Sequence, residues 1–166
     1  MLPRPDEREQ TMADKRHDYT VRIEWTGNQG SGTSSYRAYS RSHEIAAPGK
    51  PAIAGSSDPK FRGDAARWNP EELLVASLSA CHQLWYLHLC AEAGIIVQAY
   101  RDDAVGVMLE QPDGAGQFES VTLRPHVTLA PGSDAAIARR LHEQAARMCF
   151  IARSVSFRVE HEPGFS

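Results

Sequence analysis

An apolar helical stretch with clear chemical punctuation at both ends dominates the middle of this chain. Asn69-Pro70-Glu71-Glu72 opens it: asparagine can cap, proline suits the first helical position, and Glu72 stands where a capping box places its carboxylate. Gly94 supplies the stop after Ala93. Between them, Leu73-Leu74-Val75-Ala76-Ser77-Leu78-Ser79-Ala80-Cys81 marks a candidate core helix. A second candidate is opened by Ser133 or Asp134, carries Ile137, Leu141, Ala145 and Met148, and ends near Cys149. At about 100° per residue, Cys81 shares a helix face with Leu74, Leu78, Trp85 and His88, and Cys90 falls roughly opposite. Cys81 and Cys149 therefore meet if the two helices pack face to face. Two thiols so placed are either packed core cysteines, the common fate of free cysteine, or a nucleophile with its resolving partner.

The rest of the chain reads as strands. Tyr19, Val21, Ile23 and Trp25 alternate with polar neighbours, the period of a half-buried strand. A Gly- and Ser-rich turn over 27–35 leads to a second strand over Tyr36–Ile45, and Ala52–Ala54 makes a short third. Val105, Val107 and Leu109 alternate, Pro112-Asp113-Gly114 turns the chain, and Val121 to Leu129 returns as a strand that Pro125 marks as edge or bulged. Val155, Phe157 and Val159 close the fold. Strands at both ends of the chain with helices between them predict an α+β fold.

With 166 residues the chain is long enough for one domain with a real core. The expected division is an N-terminal extension over 1–17, with Met12 as a second plausible start, and one domain over 18–166. A net charge of −3 gives no reason to expect nucleic acid or an anionic membrane as partner. No stretch reads as approaching the ~20 apolar residues of a membrane span. Three cysteines, an odd number, argue against a secreted disulfide framework, so a reducing, cytoplasmic setting is expected.

The run Asn69-Pro70-Glu71-Glu72-Leu73-Leu74, followed by Ser79-Ala80-Cys81, resembles the first-cysteine signature of the OsmC/Ohr family, the osmotically induced and organic-hydroperoxide-resistance proteins. Met148-Cys149-Phe150-Ile151-Ala152-Arg153-Ser154-Val155 is similar to the family's second-cysteine region, with Phe150 where many members have proline. The similarity runs in order from about Tyr19 to Glu160. It implies an OsmC-like fold, with two antiparallel sheets around two core helices, in an intertwined homodimer. It also implies a thiol peroxidase that reduces organic hydroperoxides in oxidative-stress defence, with Cys81 peroxidatic and Cys149 resolving, and with no cofactor. The implied reductant is a dithiol, a lipoyl group on a protein partner. Glu71 matches the family's glutamate and Arg62 best matches its arginine, with Arg37 and Arg41 as alternatives. An arginine near the thiol would favour the thiolate and steady charge on the departing oxygen.

Other readings of the same residues stay open. Glu71 lies ten residues before Cys81, about 15 Å along a continuous helix, too far for direct contact. Glu71 would then act by holding Arg62, across a break in the helix, or in a site shared between two chains. His82 follows the thiol where many relatives have an aromatic residue, and faces solvent or a strand. A Cys81/His88/Cys149 metal site lacks any tight ligand spacing. Trp85, Tyr86 and Met148 are core by type, although Trp85 and Met148 could also wall a site for a bulky apolar molecule. The alternative function is a non-catalytic relative that binds a small apolar ligand or a partner protein, since fold alone does not carry activity.

Overall fold

The computed structural model describes residues 15–166. Most of the expected extension over 1–17, and the alternative start at Met12, lie outside the described residues. The protein is α+β. Strands β1 (Arg22–Trp25), β2 (His43–Ala46) and β3 (Ile53–Gly55) come first, then helix α1 (Pro70–Glu92). After it run β4 (Val97–Asp102), β5 (Val105–Glu110), β6 (Gly116–Leu123) and β7 (Pro125–Leu129). Helix α2 (Ala135–Met148) and strands β8 (Arg158–His161) and β9 (Gly164–Phe165) complete the order.

The described strands form three short sheets, ordered β1-β2-β3, β4-β7-β9 and β5-β6-β8. The first is antiparallel, and each of the others gains a parallel edge, β7–β9 and β6–β8. The single return strand expected over Val121–Leu129 is two strands in two sheets, interrupted at Arg124. Pro125 has no N–H to offer a ladder and stands at the first residue of β7, a position where a strand tolerates proline. Asp102 fixes the break: one carboxylate oxygen accepts the Arg124 N–H at 2.6 Å and the other accepts the Ser79 hydroxyl of α1 at 2.5 Å.

Two further expectations are corrected. The second strand begins at His43 rather than Tyr36, because Thr26–Ser42 is a loop folded on its own polar groups. There Asn28 Oδ1 accepts the N–H groups of Gly30 and Gly32, and Arg41 donates to the carbonyls of Tyr36 and Tyr39. Gly27 is obligatory in that loop, since a Cβ would stand 1.9 Å from the Ser40 carbonyl oxygen. Strand β1, expected half-buried, is exposed at all four residues, since none of the described elements covers it.

Helix α1 follows its local chemistry closely. The Asn69 side chain accepts the Glu72 N–H at 2.8 Å, Glu72 returns the bond to the Asn69 N–H at 3.2 Å, and Gly94 takes a φ of 70°. At 23 residues it is long and apolar enough to span a membrane by length and composition, which corrects the expectation that no stretch approaches that length. Its Leu78, His82, Tyr86 and Cys90 are nonetheless buried, one per turn, against α2 and the strands. Asp134 caps α2 by accepting the N–H groups of Ala136 and Ile137.

Candidate thiol site between the two helices

The core stripe of α1 is rotated one residue from the face that Cys81 occupies. His82, read as facing solvent or a strand, and Cys90, read as the outlying cysteine, are both inside. Cys81 sits at the margin of that stripe and is partly exposed. Cys149 caps the C-terminus of α2, 1% exposed, and its Sγ accepts the Ala152 N–H at 3.4 Å from the 3₁₀ turn Ala152–Ser154. The packing of α2 against α1 brings the two thiols together. Burial pushes the Cys149 thiol up to about 11, and hydrogen bonding toward the Cys81 thiol adds to the rise. The Ala152 and Ile151 backbone groups oppose it only in part. Cys149 therefore holds its proton and can donate it toward the more exposed sulfur. Burial likewise raises Cys90, which lies in the core around Tyr86 and Ile95.

Beside the thiols lies an aromatic edge. Phe150, directly after Cys149, packs edge-on against Trp85 with ring centroids 5.6 Å apart, and Trp85 meets His88 in the same manner at 5.8 Å. Phe150 and Met148 are both exposed, so this edge offers apolar surface to solvent next to Cys81. His88 is thus engaged with Trp85. Among the described residues no three His, Cys, Asp or Glu side chains gather as a metal site.

The charged candidates stand elsewhere. Helix α1 is unbroken from Pro70 to Glu92, so Glu71 is held near one end while Cys81 sits mid-helix. Glu71 lines a groove of about 970 Å³ between α1 and β5 that Cys81 does not line. Arg62 is exposed, with a left-handed φ of 65°, and among the described residues no hydrogen bond or ion pair joins it to Glu71 or Cys81. Arg41 is stacked over the rings of Tyr36 and Tyr39 at 4.3 and 4.1 Å, and Arg37 is exposed. Sequence reasoning passed over Arg67, which is anchored just before α1. Arg67 donates to Glu44 Oε1 at 3.0 Å and to the His43 carbonyl at 3.2 Å, tying the approach to α1 onto the first sheet.

A second feature escaped sequence reasoning. His82 Nε2 and His142 Nδ1 share a hydrogen bond of 3.0 Å, the His142 ring stacks on Tyr86 at 3.7 Å, and His161 of β8 lies 5.5 Å from His82 between ring centroids. Burial lowers His82 to about 4 and His142 to about 3, so both are neutral at pH 7. The available signal was the four-residue spacing of Leu78, His82, Tyr86 and Cys90, which is the spacing of a buried helix stripe.

The model of the OsmC-like protein family matches residues 63–163. An OsmC-like protein of unknown function from Vibrio cholerae is similar in structure, with a TM-score of 0.81 and 29% identity over 89% of this chain and 99% of that one. An organic hydroperoxide resistance protein from Legionella pneumophila shares the fold at a TM-score of 0.64 and 16% identity, covering 90% of this chain and 97% of that one. The organic hydroperoxide resistance protein OhrB of Bacillus subtilis does so at 0.61 and 18%, covering 90% and 98%. No curated protein matches the chain. Both thiol-bearing helices and strands β4 to β8 lie within the matched residues, and the chain belongs to the OsmC-like protein family.

Proposed function

We propose that this protein is a thiol peroxidase that reduces organic hydroperoxides, with Cys81 as the attacking thiol and Cys149 as the resolving one. The observation that carries the reading is the pairing of a partly exposed Cys81 with a buried Cys149 whose proton is held tightly. The Cys81 thiolate attacks one peroxide oxygen, the O–O bond breaks, and the alkoxide takes a proton to leave as an alcohol. Cys81 is then a sulfenic acid. Cys149 attacks the Cys81 sulfur, a disulfide forms and water leaves. A dithiol such as a lipoyl group restores both thiols by exchange. The Trp85–Phe150 edge favours an apolar peroxide over hydrogen peroxide. The similarity in fold to organic hydroperoxide resistance proteins supports the same substrate class.

Glu71 and Arg62 enter this reading as residues of a site completed by a second copy, since neither meets Cys81 within one chain. A homodimer is supported by apolar surface left bare on one chain: Val21, Ile23 and Trp25 in and beside β1, and Val107 and Leu109 on β5. A cytoplasmic setting agrees with the odd number of cysteines, which does not suit a disulfide framework. The α1–β5 groove favours a second reading, the binding of an apolar ligand or partner segment without chemistry. The deciding assay supplies cumene hydroperoxide and dihydrolipoamide to the reduced protein. Turnover that Cys81→Ser abolishes is the expected result, and a wild type inert to cumene hydroperoxide refutes the peroxidase reading.

A further inference from the structure

A cavity of about 40 Å³ lies between the helices and the β5-β6-β8 sheet, and its wall includes Cys149, His82 and His161. Leu78, Leu123 and Val159 make much of the remainder apolar. The volume suits a single water, and Cys149, His82 and His161, with Glu160 as a fourth polar lining residue, give that water partners. The Cys149 thiol thus has a polar route that does not pass through Cys81.

The resolving step needs such a route. A thiol held up to about 11 is almost wholly protonated at pH 7, and it is the thiolate that attacks sulfur. Of the two histidines on the wall, His82 has its Nε2 committed to His142, and burial keeps that pair neutral. Among the described residues no hydrogen bond commits the His161 ring: it is only partly buried and is held at its place on β8 by register with Leu123 of β6. The groups that face it are His82 from α1 and His142 from α2, with Cys149 on the same cavity wall; Glu160, which also lines the cavity, and Glu162 flank it in the chain.

Resting on the peroxidase reading, the geometry points to His161 as the residue that draws the proton from Cys149, through one water in this cavity, when Cys149 closes onto the Cys81 sulfenic acid. The balance is simple. The Cys149 proton passes through the water to the His161 ring, the Cys149 sulfur forms a bond to the Cys81 sulfur, and the S–O bond breaks with its electron pair on oxygen. The departing hydroxide is protonated to water, and His161 returns its proton to solvent. His161 acts at one remove and is a positioning residue in the resolving half of the cycle only.

The test separates that half from the first. Reduced protein is mixed with one equivalent of cumene hydroperoxide. Sulfenic acid is then trapped with dimedone, and disulfide formation is followed by intact mass from pH 6 to 9. In wild type the closure rate is expected to level off with rising pH. In His161→Gln, sulfenic acid should form at the wild-type rate while closure at pH 7 falls about a hundredfold. Closure should then rise about tenfold per pH unit, as ionisation of Cys149 alone dictates. Ala146→Val, which fills the cavity and leaves every histidine in place, should show the same steep profile. Closure within twofold of wild type, with the same level profile, in both variants overturns the assignment of His161 and leaves the peroxidase reading standing. Absence of any sulfenic acid at Cys81 in wild type overturns both.

Discussion

The buried His82–His142 pair makes stability depend on pH in a calculable way. Both rings are neutral in the folded protein, with values near 4 and 3, against 6.5 for an unperturbed histidine. Between pH 6.5 and about 4 the unfolded chain therefore binds two protons that the native state refuses. Stability rises with pH wherever the unfolded state binds more protons, so here it is full above pH 6.5 and is lost on acidification. At pH 5 the refusal costs about 2 kcal/mol per histidine, about 4 kcal/mol for the pair. That is a large share of the 5–15 kcal/mol typical of a domain. With a urea m-value of about 2 kcal/mol/M, the unfolding midpoint should fall by about 2 M between pH 7.5 and pH 5. In His82→Gln/His142→Gln the amide pair can keep the hydrogen bond but cannot titrate, and its midpoint should move far less over the same range. A wild-type midpoint that shifts by under about 0.5 M, or a double variant that shifts as far as wild type, refutes the reasoning.

Two further outcomes follow from the thiols and the helix cap. Iodoacetamide at pH 8 should alkylate Cys81 well before the other cysteines, because Cys90 is buried and only about one Cys149 thiol in a thousand is ionised there. Peptide mapping that finds Cys149 or Cys90 labelled first contradicts the assigned environments. Asn69→Ala removes the side-chain acceptor at the start of α1 and should cost about 1 kcal/mol in urea unfolding, while Asn69→Asp, which preserves an acceptor, should cost much less.

What could be read from the sequence was whatever is decided within a few residues. The Asn69–Glu72 box, the Gly94 stop and the Asp134 cap are local hydrogen-bond chemistry, and each stands where its residues put it. The meeting of Cys81 with Cys149 was readable as an alternative, because each thiol lies at the edge of an apolar stripe. Decisions made across the fold were not readable. Strand β4 was missed because Gln98, Arg101 and Asp102 hide the apolar period, although pairing with β7 supplies its order. His82 was left facing solvent or a strand, since its helix angle turns it from Cys81 and nothing near it in the chain announces His142, sixty residues later. The break at Pro125 was visible as an irregularity, but its effect of sending β6 and β7 to different sheets depends on their pairing with β5 and β4 and, after α2, with β8 and β9.

Those late partners set the order in which the molecule can assemble. Ser120 pairs with Arg158 and Val127 with Phe165, both across the whole of α2 and in parallel, whereas β5 and β6 form a hairpin across a short turn. Pairings between distant segments must overcome loop-closure entropy before they return any stability, so they form slowly and late. The hairpin and α1 can organise while the chain is still growing. Cys149, at the end of α2, shares its cavity with Val159 and His161 of β8, one of those late strands. The topology thereby leaves the closing of the core beside Cys149 to the last strands of the chain.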